Sequence, residues 1–180
     1  MVYEEALLSP LIRLGIPITV FKHRDKEEGG ALVEENKASN INYVHQNTWG
    51  KSFFGIFHSK LILLEFDDRV RVVISSSNLY RFDWELMSQV IWFQDFFRKD
   101  ANGPRRNQSS EFEDDLKEFV TRLCPKNLKR GVFRKTIDLW KYDFSTAIVK
   151  LVGSINGRFT GQELYKYGQK RLEHLCSQGD

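Results

Sequence analysis

Two apolar, β-branched runs, Phe57 to Phe66 and Arg69 to Ser76, are separated only by Asp67-Asp68. So short a polar break between two such runs leaves an antiparallel hairpin as the natural way to fold them. Ser88 to Phe93 supplies a third strand after a polar turn. A sheet built this way exposes apolar faces that must be covered, and the rest of the chain contains the helices to cover them. The expected fold class is therefore α/β, a mixed sheet flanked by helices.

Helical spacing of Ala6, Leu7, Leu11 and Leu14 predicts a first helix over Glu4 to Leu14, stopped by Gly15 and Pro17. Pro17 to Phe21 reads as a short buried strand and Ile41 to His45 as another. The charged stretch from Lys22 to Glu35, broken at Gly29-Gly30, reads as a loop with room for one helical turn. Trp49 to Phe54 is a glycine-punctuated approach to the hairpin, and Lys99 to Ser109 reads as an exposed loop.

A further helix is expected to begin at Ser110, with Glu113 completing a capping box. Phe112, Leu116, Phe119, Val120 and Leu123 form its apolar face, and Pro125 ends it. A shorter helix is expected over Val132 to Trp140, a strand over Ala147 to Val152, and a last helix over Gln162 to Cys176.

A chain of 180 residues with 41% apolar content suits one compact domain, taken as residues 1–180. No run approaches the roughly 18 apolar residues of a membrane span, and the opening MVYEEALLSPLIRLG lacks the pattern of a signal peptide. A soluble intracellular protein with no membrane partner is the expectation. Cys124 and Cys176 form no CxxC pair and are too few for a disulfide framework or a cysteine-based zinc site. Net charge is only +3, so any anion-binding surface must be local. Arg98, Lys99, Arg105 and Arg106 form one basic group, and Lys126, Lys129, Arg130, Arg134 and Lys135 another. Solvated faces account for both.

His58 and Lys60 stand two residues apart at the start of an apolar strand, which puts both side chains on one face. Folding the hairpin at Asp67-Asp68 sets Asn78 opposite Phe57, about one strand residue from His58. Imidazole, ammonium and amide together suit phosphoryl transfer: a neutral ring nitrogen attacks phosphorus while Lys60 and Asn78 hold the non-bridging oxygens. No metal or organic cofactor is needed for that chemistry. Ser75, Ser76 and Ser77 offer further donors, although a serine-rich strand end is also ordinary turn chemistry.

The stretch FFGIFHSKLILLEFDDRVRVVISSSNLYRFDWELMSQVIWF, Phe53 to Phe93, resembles the first active-site motif of tyrosyl-DNA phosphodiesterases, members of the phospholipase D superfamily. Beyond HxK and the later Ser-Asn, the match takes in Phe54-Gly55, Asp83-Trp84, and Gln89 followed by Ile91-Trp92. Weaker similarity runs from the Pro17 strand through His23 and Asp25 to Leu151-Val152-Gly153-Ser154, Gly157-Arg158-Phe159 and the last helix.

The resemblance implies a phospholipase D-like domain, the first of two in that family, and hydrolysis of 3′-phosphotyrosyl DNA through a phosphohistidine at His58. Lys60 and Asn78 would bind phosphoryl oxygens, Gln89 would support the site, and Phe54 would stack on the bound nucleotide. Gln89 satisfying backbone groups and Phe54 packing under the hairpin are the alternative roles. Asp83 and Trp84 read as structural, and His23 as a loop residue. The implied partners are DNA 3′ ends, single- or double-stranded, with tyrosyl or other 3′ adducts. The implied compartment is the nucleus, with the cytoplasm as a second location.

The family reaction also needs a second HxK motif, whose histidine protonates the leaving tyrosine and then activates water. The other histidines read His23-Arg-Asp, His45-Gln-Asn and His174-Leu-Cys, none with lysine two residues on. Three arrangements are open: half of a longer enzyme, a homodimer completing its site between copies, or a noncatalytic module binding DNA ends or a protein. The first is favoured, because the family ordinarily joins both halves in one chain. Action on a different phosphodiester is a further alternative.

Overall fold

The computed structural model describes residues 5–23, 33–35, 40–46, 58–100, 109–123, 137–155 and 157–178. Helix α1 (Glu5–Arg13) leads into β1 (Ile18–His23), β2 (Val33–Glu35) and β3 (Ile41–Gln46). These strands form a three-stranded mixed sheet in the order β1-β3-β2, with β1 parallel and β2 antiparallel to β3. Gly15, at φ 71°, closes α1 as expected. Its N–H donates to the Ile12 carbonyl at 3.0 Å and that of Ile16 to Leu11 at 3.2 Å, the paired bonds of a Schellman cap. Strand β2 falls in the stretch expected to be a loop, since pairing with β3 overrides its charged sequence. His23 ends β1 instead of lying in a loop.

A second sheet holds β4 (Leu61–Glu65), β5 (Arg69–Ser75) and β6 (Ile91–Phe97), antiparallel throughout in the order β4-β5-β6. The hairpin turns at Asp67-Asp68 as the sequence requires, with the Phe66 N–H donating to the Arg69 carbonyl at 2.8 Å. A single sheet was the expectation; the strands divide into two because β3 pairs only within its own group. The polar turn before β6 contains a short helix, α2 (Arg81–Glu85). Strand β6 starts three residues later than the pattern suggests and runs on to Phe97, which lies opposite Arg69.

Alternation along β5 decides where the core forms. Val70 and Val72 point inward and are fully buried, whereas Arg69 and Arg71 turn to the other face. Against that inner face lies α3 (Glu111–Leu123), whose Phe112, Leu116, Phe119, Val120 and Leu123 are all buried, as its periodicity demands. Phe96 of β6 is the centre, 5.4 Å from the Phe112 ring and 4.7 Å from that of Phe144. The buried Leu8, Ile41 and Val44 lie outside this cluster, whereas Phe21 of β1 packs against it. Tyr142 is fully buried there and donates its phenol to Glu65 at 2.6 Å; burial first, then that carboxylate, push the phenol up to about 12.

Ser110 caps α3 as expected, accepting the Glu113 N–H at 3.1 Å. The reciprocal half of the box is replaced, because the buried Glu113 carboxylate pairs with Lys99 and Lys117. Of the shorter helix expected over Val132 to Trp140, only residues 137–140 are described, and Leu139–Lys141 form a 3-10 turn. Ala147 to Val152 is irregular and not a strand. The last helix divides into a 3-10 turn (Gly161–Tyr165) and α4 (Gly168–Ser177), which docks on α3 through Arg171 paired with Glu111 and Asp115.

The division falls at Gly168, whose φ of 56° is disfavoured for any residue with a Cβ. Nothing lies within 4 Å of where a Cβ would stand, so substitution meets conformational strain and no clash. Gly168→Ala is expected to cost about 1 kcal/mol, read as a lowered urea midpoint at unchanged slope.

Candidate active site

His58 and Lys60 stand just ahead of β4 and are brought together as the strand period requires. The Lys60 Nζ lies 2.8 Å from His58 Nδ1, 3.1 Å from Nε2 and 3.0 Å from the His58 carbonyl. An ammonium only donates and a neutral imidazole has one acceptor nitrogen, so one ring contact is a hydrogen bond and the other a close approach set by the tautomer. His58 is exposed and Lys60 half-buried. The imidazole is thus open to a ligand while the lysine stem is held by the sheet.

The ladder runs one pair beyond β4, with the Ser75 N–H donating to the Lys60 carbonyl at 3.1 Å. The expected placement of Asn78 opposite Phe57 lies beyond this last pair, and Phe57 is outside the described residues. Beyond Ser75 the chain turns toward β6, and the Ser76 N–H donates to the Val90 carbonyl at 3.0 Å. Asn78 is then fixed at each of its backbone polar groups. Its N–H and its Nδ2 donate to one carboxylate oxygen of Asp83, at 2.7 and 3.0 Å. Its carbonyl accepts from Trp84 Nε1 and from the Ser77 hydroxyl, both at 2.8 Å.

Gln89 and Ser76 close the other side of this loop. The Ser76 hydroxyl donates to Gln89 Oε1 at 2.6 Å and accepts the Val90 N–H at 2.9 Å. Gln89 Nε2 donates to the Asp83 carbonyl at 3.1 Å. Ser77 is buried, and its N–H is taken by Ser75 Oγ at 2.9 Å. Phe54 lies outside the described residues, as do Arg105, Arg106 and the second basic group.

Electrostatics tie the two halves of the loop together. Partial burial holds the Lys60 ammonium below the usual lysine range, and the Asp83 carboxylate acts against that shift. Asp83 reads from sequence as merely structural. Its signal was its place in the first turn of a short helix, from which a carboxylate reaches back to upstream N–H groups. Among the described residues no three His, Cys, Asp or Glu side chains gather as a metal site requires. His174, in the last turn of α4, lies beside the Tyr165 ring and is 3.0 Å from Gln178 Nε2.

The histidine–lysine pair and the loop that fixes Asn78 lie within a longer match. The sequence pattern of the tyrosyl-DNA phosphodiesterase family fits residues 12–180. The chain belongs to that family. It is 35% identical over 132 residues to tyrosyl-DNA phosphodiesterase 1 of Arabidopsis thaliana, covering 69% of this chain and 22% of the relative. A probable tyrosyl-DNA phosphodiesterase of Caenorhabditis elegans is 32% identical over 133 residues, covering 69% and 26%. Tyrosyl-DNA phosphodiesterase 1 of Drosophila melanogaster is 28% identical over 130 residues, covering 69% and 22%. The chain therefore spans about a quarter of the length of these tyrosyl-DNA phosphodiesterases. Among the described residues, no helix is long and apolar enough to cross a membrane.

Proposed function

We propose that this chain is the first half of a phosphodiesterase that cleaves 3′-phosphotyrosyl bonds in DNA, with His58 as the nucleophile. The contact between Lys60 and the His58 ring carries the reading, because it places a cation beside an exposed imidazole where an anionic phosphodiester would dock. An imidazole nitrogen lone pair attacks phosphorus as the bond to the tyrosyl oxygen breaks, forming a phosphohistidine and releasing tyrosine as a phenolate. A phenol has a pKa of about 10, so its anion departs far more readily than an alkoxide and picks up a proton afterwards. Lys60 and the Asn78 amide neutralise charge on the non-bridging oxygens. Ser76, Ser77 and Gln89 hold the loop that presents Asn78, and Phe54 is the candidate platform for a nucleotide base.

Hydrolysis of the phosphohistidine needs an acid and a base opposite His58, the role of a second HxK motif. A second catalytic half, or a second copy of this chain across a twofold axis, would supply it. The fold would be a single phospholipase D-like domain, working in DNA repair in the nucleus.

Incubation with a 3′-phosphotyrosyl oligonucleotide is expected to yield an acid-labile adduct on a denaturing gel, accumulating without turnover. Turnover by a species that elutes as a dimer would assign the missing acid to a second copy. Binding of the oligonucleotide with no adduct in any oligomeric state would overturn the enzymatic reading in favour of a DNA-end binding module.

A further inference from the structure

We propose that Asp83 is the positioning residue of this site: it sets which way the Asn78 amide faces. The inference rests on the function proposed above and gives a role to a residue that otherwise reads as part of a turn.

An asparagine amide can present either its oxygen or its nitrogen to a neighbour, and the two differ little in shape. A carboxylate removes that freedom because it only accepts. Asp83 takes both the backbone N–H and the Nδ2 of Asn78, so the amide cannot turn over without setting oxygen against oxygen. Among the described residues Nδ2 makes this one bond, which leaves its second proton to donate to a phosphoryl oxygen. Among the described residues the Asn78 Oδ1 is buried without a hydrogen-bond partner, which a freely chosen orientation would avoid. The orientation is imposed, and the Asp83 carboxylate is the group that imposes it.

Asp83 is also where the rest of the loop meets. Its carbonyl accepts from Gln89, Gln89 accepts from Ser76, and Trp84 beside it in α2 donates to the Asn78 carbonyl. Among the described residues, Lys60 touches His58, and the Asp83 charge opposes the effect of burial on its ammonium. One carboxylate therefore orients the amide, and its charge opposes the desolvation of the lysine. Such an arrangement is built before any ligand arrives, so its cost is not met during the reaction.

The test compares the full chain with Asp83→Asn and Asp83→Glu, each first checked for folding by circular dichroism. NMR of the Asn78 side-chain amide gives a readout independent of chemistry. Its protons are expected to be protected from solvent exchange in the parent, and to exchange faster and shift toward free-amide positions in Asp83→Asn. In parallel, the rate of adduct formation with the 3′-phosphotyrosyl oligonucleotide is expected to fall about 10²-fold, the usual result of a misplaced group. Its alkaline limb is expected to move to lower pH, because Lys60 loses the charge that opposes its desolvation. Asp83→Glu keeps the charge and is expected to return the alkaline limb. In an Asn78→Ala background, Asp83→Asn is expected to lose most of its effect on rate while keeping its effect on pH. An unaltered Asn78 amide signal, or an unchanged rate of adduct formation, would overturn the inference. A parent that forms no adduct while its amide signal responds as expected would sink the proposed function and leave the positioning role standing.

Discussion

His58→Ala is expected to lower the rate of adduct formation with a 3′-phosphotyrosyl oligonucleotide at least about 10³-fold, since it removes the nucleophile of the proposed mechanism. The side chain is exposed, and its described polar contacts are with Lys60. Its removal leaves no buried group unpaired. Stability is therefore expected to stay within about 0.5 kcal/mol of the parent, which separates lost chemistry from lost fold. The measurement is a quenched time course on a denaturing gel, with urea unfolding of both proteins alongside. An adduct formed equally fast by the alanine variant would remove His58 from the mechanism.

The largest loss of stability is expected at Phe96. Its ring is fully buried on β6, against both Phe112 of α3 and Phe144, which also meet each other. Three aromatic rings from distant parts of the chain thus share one contact, and few neighbours can move to fill the space. Truncation to alanine is expected to cost about 3–5 kcal/mol, from lost burial together with the cavity left behind. Total stability for a domain is commonly about 5–15 kcal/mol, so this one change removes a large share of it. Urea unfolding followed by tryptophan fluorescence would read it as a lower midpoint, and a midpoint shift of under about 1 kcal/mol would show that the ring is not central to the core.

Much of the second sheet and its covering helix was legible in the residues themselves. Period-two alternation and the Asp67-Asp68 break specify the β4–β5 hairpin and its register, and those signals act over neighbouring residues only. The apolar stripe of α3 and its Ser110 cap are legible for the same reason. Strand β2 was not, because Val-Glu-Glu has little strand preference and becomes one only by pairing with β3. The last helix was read as continuous because its apolar spacing is helical, whereas the chain breaks at Gly168, where a positive φ costs glycine little.

The candidate site divides along the same line. Juxtaposition of His58 and Lys60 follows from their spacing on one strand face, and membership of the tyrosyl-DNA phosphodiesterase family is carried by the motif around them. The sequence by itself thus determined which groups the site contains, because side-chain identity and strand period are local properties. It left Asp83 indistinguishable from any acidic residue in a turn. Tertiary structure alone decided that its carboxylate meets Asn78, that its carbonyl meets Gln89 and that its charge reaches Lys60. Those contacts exist only once β4, β5, α2 and β6 have closed around one loop. A hydrogen bond needs its partners within about 3 Å, and no spacing along the chain can state that distance.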